Sequence, residues 1–128
     1  MPKQDEIKYT KTHEWIFVEG ENATIGISEH AQEEMGDVVF VELPKMDQKL
    51  EKEKPCAVVE SVKSAFDIYA PASGEVTAVN DNLDGDPALI NTSPLEEGWM
   101  YKIKLNNPEE INDLMDFAAY QEFIKQSA

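Results

Sequence analysis

The fold is decided by the stretch Cys56-Ala57-Val58-Val59-Glu60-Ser61-Val62-Lys63-Ser64-Ala65-Phe66-Asp67-Ile68-Tyr69-Ala70. Two runs within it, Cys56–Glu60 and Phe66–Ala70, are rich in β-branched and aromatic residues, and Pro71 follows the second run. Such residues favour strands, and a proline ends a strand because it lacks the N–H that the ladder needs. The pattern therefore predicts two short strands joined by a tight turn at Ser61-Val62-Lys63-Ser64.

Lys63 stands at the tip of this predicted turn, between small or moderately sized side chains. A lysine in such a turn is ordinarily a solvated charge that discourages pairing between strand edges. The same setting leaves its amine open to a modifying enzyme, and its four-carbon stem would give an attached group a long, flexible reach. The residues alone leave both interpretations open.

Toward the N-terminus the sequence predicts a hairpin, a short helix and a further strand. The apolar clusters of Trp15–Ile27 are interrupted by Glu19-Gly20-Glu21-Asn22, which indicates two strands and a turn. Ser28 and Gly36 are residue types that begin and end helices, so a helix of two turns is expected between them. Val38–Pro44 has the composition of a strand and ends in proline.

Toward the C-terminus, two further strands are expected at Gly74–Val79 and at Trp99–Leu105, where apolar and polar residues alternate. The charged stretch Lys45–Pro55 and the turn-rich stretch Asn80–Pro94 are predicted to be surface connections. Strand content thus dominates, and the fold is predicted to be mainly β.

A helical segment is predicted at about 108–126. Asn107 has the residue type of an N-cap, Pro108 suits the first helical position, and Glu110 supplies a capping-box acid. Asp116 is expected to cap a second helix. We therefore expect C-terminal helices packed on a mainly β domain that spans 1–128.

The charge of the chain excludes several classes of partner. Its 11 basic residues, all lysines, face 26 acids, for a formal net charge of −15. Such a surface repels phosphate backbones and anionic lipids, so neither nucleic acid nor a membrane is an expected partner. Without arginine the chain also lacks the planar fork that grips phosphate in two places.

Cysteine, histidine and N-terminal content narrow the class further. Cys56 is the single cysteine, so no internal disulfide is possible, and a buried apolar role is expected for it. The two histidines, His13 and His30, lie outside any two-histidine metal spacing, so no metal site is expected. The N-terminus has no secretory or transit character, which suggests a bacterial cytoplasmic protein, although a mature mitochondrial form is not excluded.

No catalytic motif supports a freestanding enzyme. The sequence contains neither a nucleophile elbow nor a phosphate-cradling glycine loop. The enzymatic alternative is a hydrolase that uses Glu14 and Asp67 as an acid and base pair, and no motif surrounds either residue. A non-enzymatic protein is therefore expected.

Several segments of the chain match one known family together. They are Tyr9–Trp15, Ile25–Ile27, Ala31-Gln32, Gly36–Pro44, Glu60–Lys63, Tyr69–Pro71 and Asn91–Trp99. Together they resemble the glycine cleavage system H-protein family, from Tyr9 to about Tyr120. The target lysine of biotin carriers sits between methionines, and most lipoyl domains of 2-oxoacid dehydrogenases have an acid directly before the lysine, where Val62 stands here.

The resemblance implies a barrel-sandwich hybrid, the fold of lipoyl and biotinyl carriers, in which Lys63 is acylated with lipoic acid. A lipoate-attaching enzyme would recognise the modification site through the neighbouring residues Glu60, Ser61, Val62 and Ser64. The lipoyl group would then carry the aminomethyl group of glycine from a pyridoxal-phosphate glycine decarboxylase to a folate-dependent aminomethyltransferase. Dihydrolipoamide dehydrogenase would reoxidise it. An alternative within the family is a depot that supplies lipoyl groups to 2-oxoacid dehydrogenases.

The resemblance also implies a pocket for the loaded arm, because the nitrogen lone pair of the aminomethyl group can expel the thiolate and release formaldehyde. A carboxylate would keep that nitrogen protonated, and a partly dry pocket would exclude water. Glu14 and Asp67 are expected to contact the ammonium, with Thr12 nearby. Both acids could instead belong to the general acidic surface.

One departure from the family pattern lies beside the lysine. Phe66 stands where family members more often have a small residue. Its ring is expected either to line the resting place of the arm, to alter how partners dock, or simply to pack in the core.

Overall fold

A computed structural model describes residues 6–127, and its strands form two sheets. In chain order the strands are β1 (Lys8–Tyr9), β2 (Glu14–Glu19), β3 (Asn22–Ile27), β4 (Val38–Glu42), β5 (Lys49–Leu50), β6 (Pro55–Ser61), β7 (Ala65–Tyr69), β8 (Gly74–Val79) and β9 (Tyr101–Leu105). The helices are α1 (Glu29–Met35), α2 (Asn82–Gly85), α3 (Leu89–Thr92) and α4 (Phe117–Ser127), with a 3₁₀ helix at Pro108–Asp113. The prediction of a mainly β fold is confirmed.

All strand pairs are antiparallel. One sheet has the order β1-β2-β3-β9-β8-β5, and the other has the order β4-β6-β7. The predicted hairpin of β2 and β3 is confirmed, with Glu19 opposite Asn22 at its end and Gly20 in the turn at a φ of 66°. Glycine adopts that left-handed conformation without steric cost. The predicted lysine hairpin is formed by β6 and β7, which pair from Glu60–Ala65 down to Pro55–Tyr69.

Helix α1 has the predicted caps. The Ser28 hydroxyl accepts a hydrogen bond from the Ala31 N–H at 3.1 Å, which satisfies one of the free donors at the helix start. Gly36 ends the helix at a φ of 80°, and its N–H donates to the Gln32 carbonyl at 3.1 Å. Both helix boundaries follow from local residue chemistry.

The two predicted surface connections were wrong in part. Lys49–Leu50 forms a short strand against β8, and Leu50 is buried. Between Asn80 and Pro94 the chain makes the helical turns α2 and α3, which bury Leu83 and Ile90 in the core. A single apolar residue among polar neighbours gives no periodic signal, so tertiary packing decides these segments.

The helical C-terminus is confirmed, but its first part is a 3₁₀ helix. The capping box predicted for Glu110 is wrong, because its carboxylate accepts hydrogen bonds from the Ser73 N–H at 2.9 Å and the Ser73 hydroxyl at 3.1 Å. These two hydrogen bonds of Glu110 hold the 3₁₀ helix against the β7–β8 connection. Asp116 caps α4 as predicted, accepting from the Ala119 N–H at 2.8 Å.

A cluster of aromatic residues holds α4 against the larger sheet. The ring of Tyr120 stacks on Tyr9 with 4.3 Å between centroids. Its hydroxyl lies 2.7 Å from His13 Nδ1 and 2.6 Å from the Ser28 hydroxyl. The segment from Tyr9 to His13 is therefore fixed on one side by α4, and its other side faces a cavity.

Candidate attachment lysine and arm pocket

The hairpin tip, residues Ser61–Ser64, is a tight turn organised by one serine. The Ser61 N–H donates to the Ser64 carbonyl at 2.8 Å. The hydroxyl of the buried Ser61 accepts from the N–H groups of Lys63 and Ser64 at 3.1 and 3.3 Å. The N–H groups of Ser61, Lys63 and Ser64 are thus satisfied within the tip. The turn is a stiff base for the exposed Lys63.

The loop between α1 and β4 supports this tip from one side. The Val62 N–H donates to the Asp37 carbonyl at 3.0 Å, and Lys63 Nζ donates to the Glu34 carbonyl at 3.3 Å. A Cβ on Gly36 would lie 3.4 Å from Lys63 Cε, so the lysine stem rests directly over the glycine. Among the described residues, the amine contacts one carbonyl, at the helix C-terminus, and makes no ion pair that would hold it back.

Asn91 fixes the supporting loop, a role that the sequence analysis did not assign. Its Oδ1 accepts from the Val38 N–H at 2.9 Å, and its Nδ2 donates to Gln32 Oε1 at 3.0 Å and to the Gly36 carbonyl at 2.9 Å. One amide side chain thus joins the end of α1 to the start of β4. Because its partners are distant in sequence, no local pattern could have revealed it.

A cavity of about 520 Å³ opens at the far end of β7. We call it the arm pocket. Its lining includes Tyr9, Thr10, Lys11, Thr12, Glu14, Lys52, Glu53, Tyr69, Ala70, Pro71, Asp113, Leu114 and Met115. The six residue steps from Lys63 to Tyr69 correspond to roughly 20 Å along an extended chain.

Glu14 is the buried acid of the arm pocket, with only 1% of its surface exposed. The hydroxyls of Thr10 and Thr12 donate to its Oε1 at 2.6 and 2.5 Å, and the Tyr69 N–H donates to Oε2 at 3.2 Å. Burial raises the pKa of the Glu14 carboxyl, and these hydrogen bonds oppose part of that shift. A cation near Glu14 would therefore stabilise the charged form of its carboxyl.

Lys52 is a cationic lining residue that the sequence did not single out. Its Nζ donates to Asp113 Oδ1 at 2.6 Å and to the Glu110 carbonyl at 2.5 Å. Asp113 is exposed, and the hydrogen bond from Lys52 lowers the pKa of its carboxyl. Lys52 thus has its own acid, and within residues 6–127 no lysine forms an ion pair with Glu14.

The structure brings Thr12 and Glu14 together in the lining of the arm pocket, and Asp67 lies outside that lining. Asp67 is exposed on β7, where it pairs with Val58, and it is not among the residues that line the arm pocket. The lining of the arm pocket therefore contains only one of the two acids that the hydrolase hypothesis requires. Adjacent strand positions point to opposite faces, so sequence proximity to the lysine gave no information on which face Asp67 occupies.

Phe66 and Cys56, both on the strands of the hairpin, pack against the protein interior. Phe66 is partly buried and packs against the main core, one of the outcomes expected for it. Cys56 also packs against that core, with its sulfur 3.2 Å from the Tyr101 hydroxyl. Burial raises the pKa of the Cys56 thiol to about 11, which disfavours the reactive thiolate.

Residues 6–127 lack two kinds of feature. No group of three or more histidine, cysteine or acidic side chains has the arrangement of a metal site within that range. None of the helices there is both long and apolar enough to cross a membrane.

Comparisons with known proteins agree on one family. The family model "Glycine cleavage H-protein" matches residues 7–127. The "Glycine cleavage system H protein" of Methylacidiphilum infernorum is 51% identical and that of Thermotoga maritima 50% identical, over 91% and 93% of this chain and 91% and 96% of theirs.

A solved structure adds the fold. The crystal structure of a glycine cleavage system H protein from Mycobacterium marinum has a TM-score of 0.84 and 33% identity, and the match covers 99% of this chain and 98% of that one. The barrel-sandwich hybrid expected from the resemblance is thereby confirmed. Sequence and structure together establish that this chain belongs to the glycine cleavage H-protein family.

Proposed function

We propose that this chain is the lipoyl carrier of a glycine cleavage system and that its lipoyl group is joined to Lys63 by an amide bond. The observation that carries the proposal is the hairpin tip, where an exposed amine stands on a turn held by the Ser61 hydroxyl. Membership of the H-protein family supports the role. The relatives named above come from bacteria, and we propose the bacterial cytoplasm as the compartment.

The residues around Lys63 fit such an attachment. The single carbonyl contact of Nζ, at 3.3 Å on Glu34, is easily exchanged for an enzyme active site. Attachment would be recognised through Glu60, Ser61, Val62 and Ser64, of which Ser61 shapes the turn and the other three are exposed. When bound, the lipoyl group supplies the disulfide that accepts the aminomethyl group and electrons. The chain itself works as one non-catalytic domain.

Three enzymes are proposed to share this carrier: glycine decarboxylase, the folate-dependent aminomethyltransferase and dihydrolipoamide dehydrogenase. A tethered arm replaces free diffusion of the cargo, so the chain needs reach and a rigid base more than acid and base groups of its own. The net charge of −15 would steer it toward basic patches on these enzymes and raise encounter rates. Salt would weaken those encounters.

The arm pocket is proposed to shelter the loaded arm. Glu14 would accept a hydrogen bond from the ammonium of the cargo, and Thr12 would lie beside it; the two residues already share a hydrogen bond of 2.5 Å. A cation there would favour the charged form of Glu14, and the carboxylate would favour the charged form of the amine. Asp67 is assigned to the acidic surface, since it is exposed outside the pocket lining.

The test of attachment is the mass of the protein purified from its native host, followed by sequencing of the modified peptide. We expect a lipoyl increment on Lys63 and none on Lys63→Arg expressed in the same host. The variant should unfold like the wild type, because Lys63 is exposed and its amine makes one weak contact. An unmodified Lys63 in the native host, or a lipoyl group on another lysine, would refute the proposal.

A further inference from the structure

The outer face of the β4-β6-β7 sheet begins directly below the hairpin tip. Residues paired in an antiparallel register point to the same side of a sheet. The first row of this face is Phe40, Glu60 and Ala65. The second row is Glu42, Val58 and Asp67. Val58 is half-buried and the other five residues are exposed. We call these two rows, together with Val39, the outer face.

A bulge enlarges the apolar part of the outer face. The register of β4 against β6 shifts between Val38 and Phe40, so Val39 and Phe40 both leave the core side, with 54% and 49% of their surfaces exposed. A regular strand would have turned one of the two inward. The sequence of β4 thus gives up the burial of one large side chain at this position.

The exposed apolar residues are concentrated around the lysine. Among the described residues, the large hydrophobic side chains that are exposed are Val39, Phe40, Met46 and Val62. Val62 directly precedes Lys63, and Val39 and Phe40 lie on the outer face. Only Met46 lies elsewhere, in the loop from β4 to β5. Apolar surface concentrated beside a functional group typically marks a protein interface.

Carboxylates surround this apolar centre. Glu60 lies between Phe40 and Ala65, and Glu42 and Asp67 flank Val58. Neither row contains a basic residue. A complementary partner therefore has an apolar centre and a rim of lysine or arginine.

We propose that the outer face is the docking site of the enzyme that attaches lipoate, a proposal that rests on Lys63 being the acylated residue. That enzyme must bring its active site to Nζ itself. In the first row, Ala65 lies two residues from Lys63 along the chain and Glu60 lies three, or roughly 7 to 10 Å. The enzymes that act on the sulfur atoms work at the far end of the arm, so they have no need to cover this face.

The attachment step sets what the docked enzyme must do. The deprotonated Nζ attacks the carbonyl carbon of an acyl adenylate that the enzyme makes from lipoate and ATP. A C–N bond forms, the C–O bond to the phosphate breaks, and AMP leaves with a proton released to solvent. Docking on the outer face would hold Nζ at that carbonyl, so its loss raises KM more than it lowers kcat.

The test is the rate of lipoyl attachment to the full-length apo protein by a purified lipoate-attaching enzyme with lipoate and ATP. Phe40→Ser is compared with Met46→Ser, since the two side chains are 49% and 52% exposed and only Phe40 lies on the outer face. Phe40→Ser should lower kcat/KM about tenfold, as the loss of one apolar interface contact does, mainly through KM. Met46→Ser should match the wild type.

Val39→Ser provides a second variant with the same expected direction, and thermal unfolding shows that each variant is folded. Equal kcat/KM values for Phe40→Ser, Val39→Ser and Met46→Ser would overturn the docking proposal. So would Phe40→Ser variants that accept lipoate normally but are loaded slowly by glycine decarboxylase, because the face would then belong to that enzyme. Failure to acylate Lys63 in the wild type would instead refute the proposed function.

Discussion

The two ends of β7 are built in opposite ways. At the hairpin tip, backbone groups and the Ser61 hydroxyl satisfy one another, and the ionisable Lys63 extends into solvent. At the arm pocket, the ionisable Glu14 is buried and takes its hydrogen bonds from two threonine hydroxyls and the Tyr69 N–H. One end keeps its charge hydrated, and the other withdraws its charge from water.

The difference matches what a carrier needs at each place. An attachment amine has to meet an enzyme, so the surrounding turn must be stiff without enclosing it. A storage site has to exclude water and hold one complementary charge, so burial is useful even though it opposes ionisation of the acid. The Ser61 hydroxyl is therefore expected to stabilise the fold, whereas ionisation of the buried Glu14 carboxyl is expected to destabilise it.

The largest expected effect concerns the lifetime of the loaded arm. Replacing Glu14 by Gln removes the carboxylate that favours the charged cargo amine. A fall of one unit in the amine pKa would raise its reactive neutral fraction about tenfold. Formaldehyde release from the loaded protein should therefore be about tenfold faster in Glu14→Gln than in the wild type. Both proteins are measured at the same pH, above neutrality.

Asp67→Asn is the matched control, because it makes the same chemical change at an exposed acid outside the arm pocket. Its formaldehyde release should equal that of the wild type. Equal rates for all three proteins would remove the arm pocket from the account. Fast formaldehyde release from Asp67→Asn, with a wild-type rate for Glu14→Gln, would mean that the exposed Asp67 and not the buried Glu14 stabilises the loaded arm.

A smaller effect is expected at the hairpin tip. Ser61→Ala leaves the N–H groups of Lys63 and Ser64 without their acceptor, which should lower the free energy of unfolding by about 1 kcal/mol. Ser64→Ala is the control, because Ser64 contributes backbone groups to the turn and its side chain is exposed. Urea denaturation compares the two. Equal losses would mean that the Ser61 hydroxyl does not organise the turn.

The elements at both ends could be predicted where local chemistry determines them. The β-branched residues before Glu60, the turn residues Ser61–Ser64 and the proline after β7 specify the hairpin without tertiary information. The Ser28 and Gly36 caps likewise bound α1. These signals depend on neighbours within a few residues, so a sequence contains them in full.

The remaining features depend on contacts between distant residues. Asn91 holds Val38 and Gly36, and Glu14 reaches Tyr69, across 53 or more residues of chain. The bulge in β4 also has no local signature, since Val38–Val41 has the composition of a regular strand. Which face an acid occupies follows from register, and a shift of one residue reverses the answer.

The smallest expected effect is a pH slope that distinguishes the arm pocket from the tip. Burial raises the pKa of Glu14 above its ordinary value of 4.5, so the folded state favours the protonated acid. The stability this gives is complete below pH 4.5 and is lost as the pH rises through the folded pKa. The free energy of unfolding of the wild type, relative to that of Glu14→Gln, should therefore fall as the pH rises from 4.5 toward 8.

The pH dependence of stability that His13 contributes has the opposite sign. It cancels when variants are compared, because all of them contain His13. Burial lowers the pKa of His13 from 6.5, so stability is lost as the pH falls below that value in every variant alike. The free energy of unfolding of Ser61→Ala should accordingly run parallel to that of the wild type across the whole pH range. That of Glu14→Gln should change with pH at a different slope. If Glu14→Gln also runs parallel, ionisation of the buried acid costs the fold nothing, and the contrast between the two ends of β7 is one of solvent exposure alone.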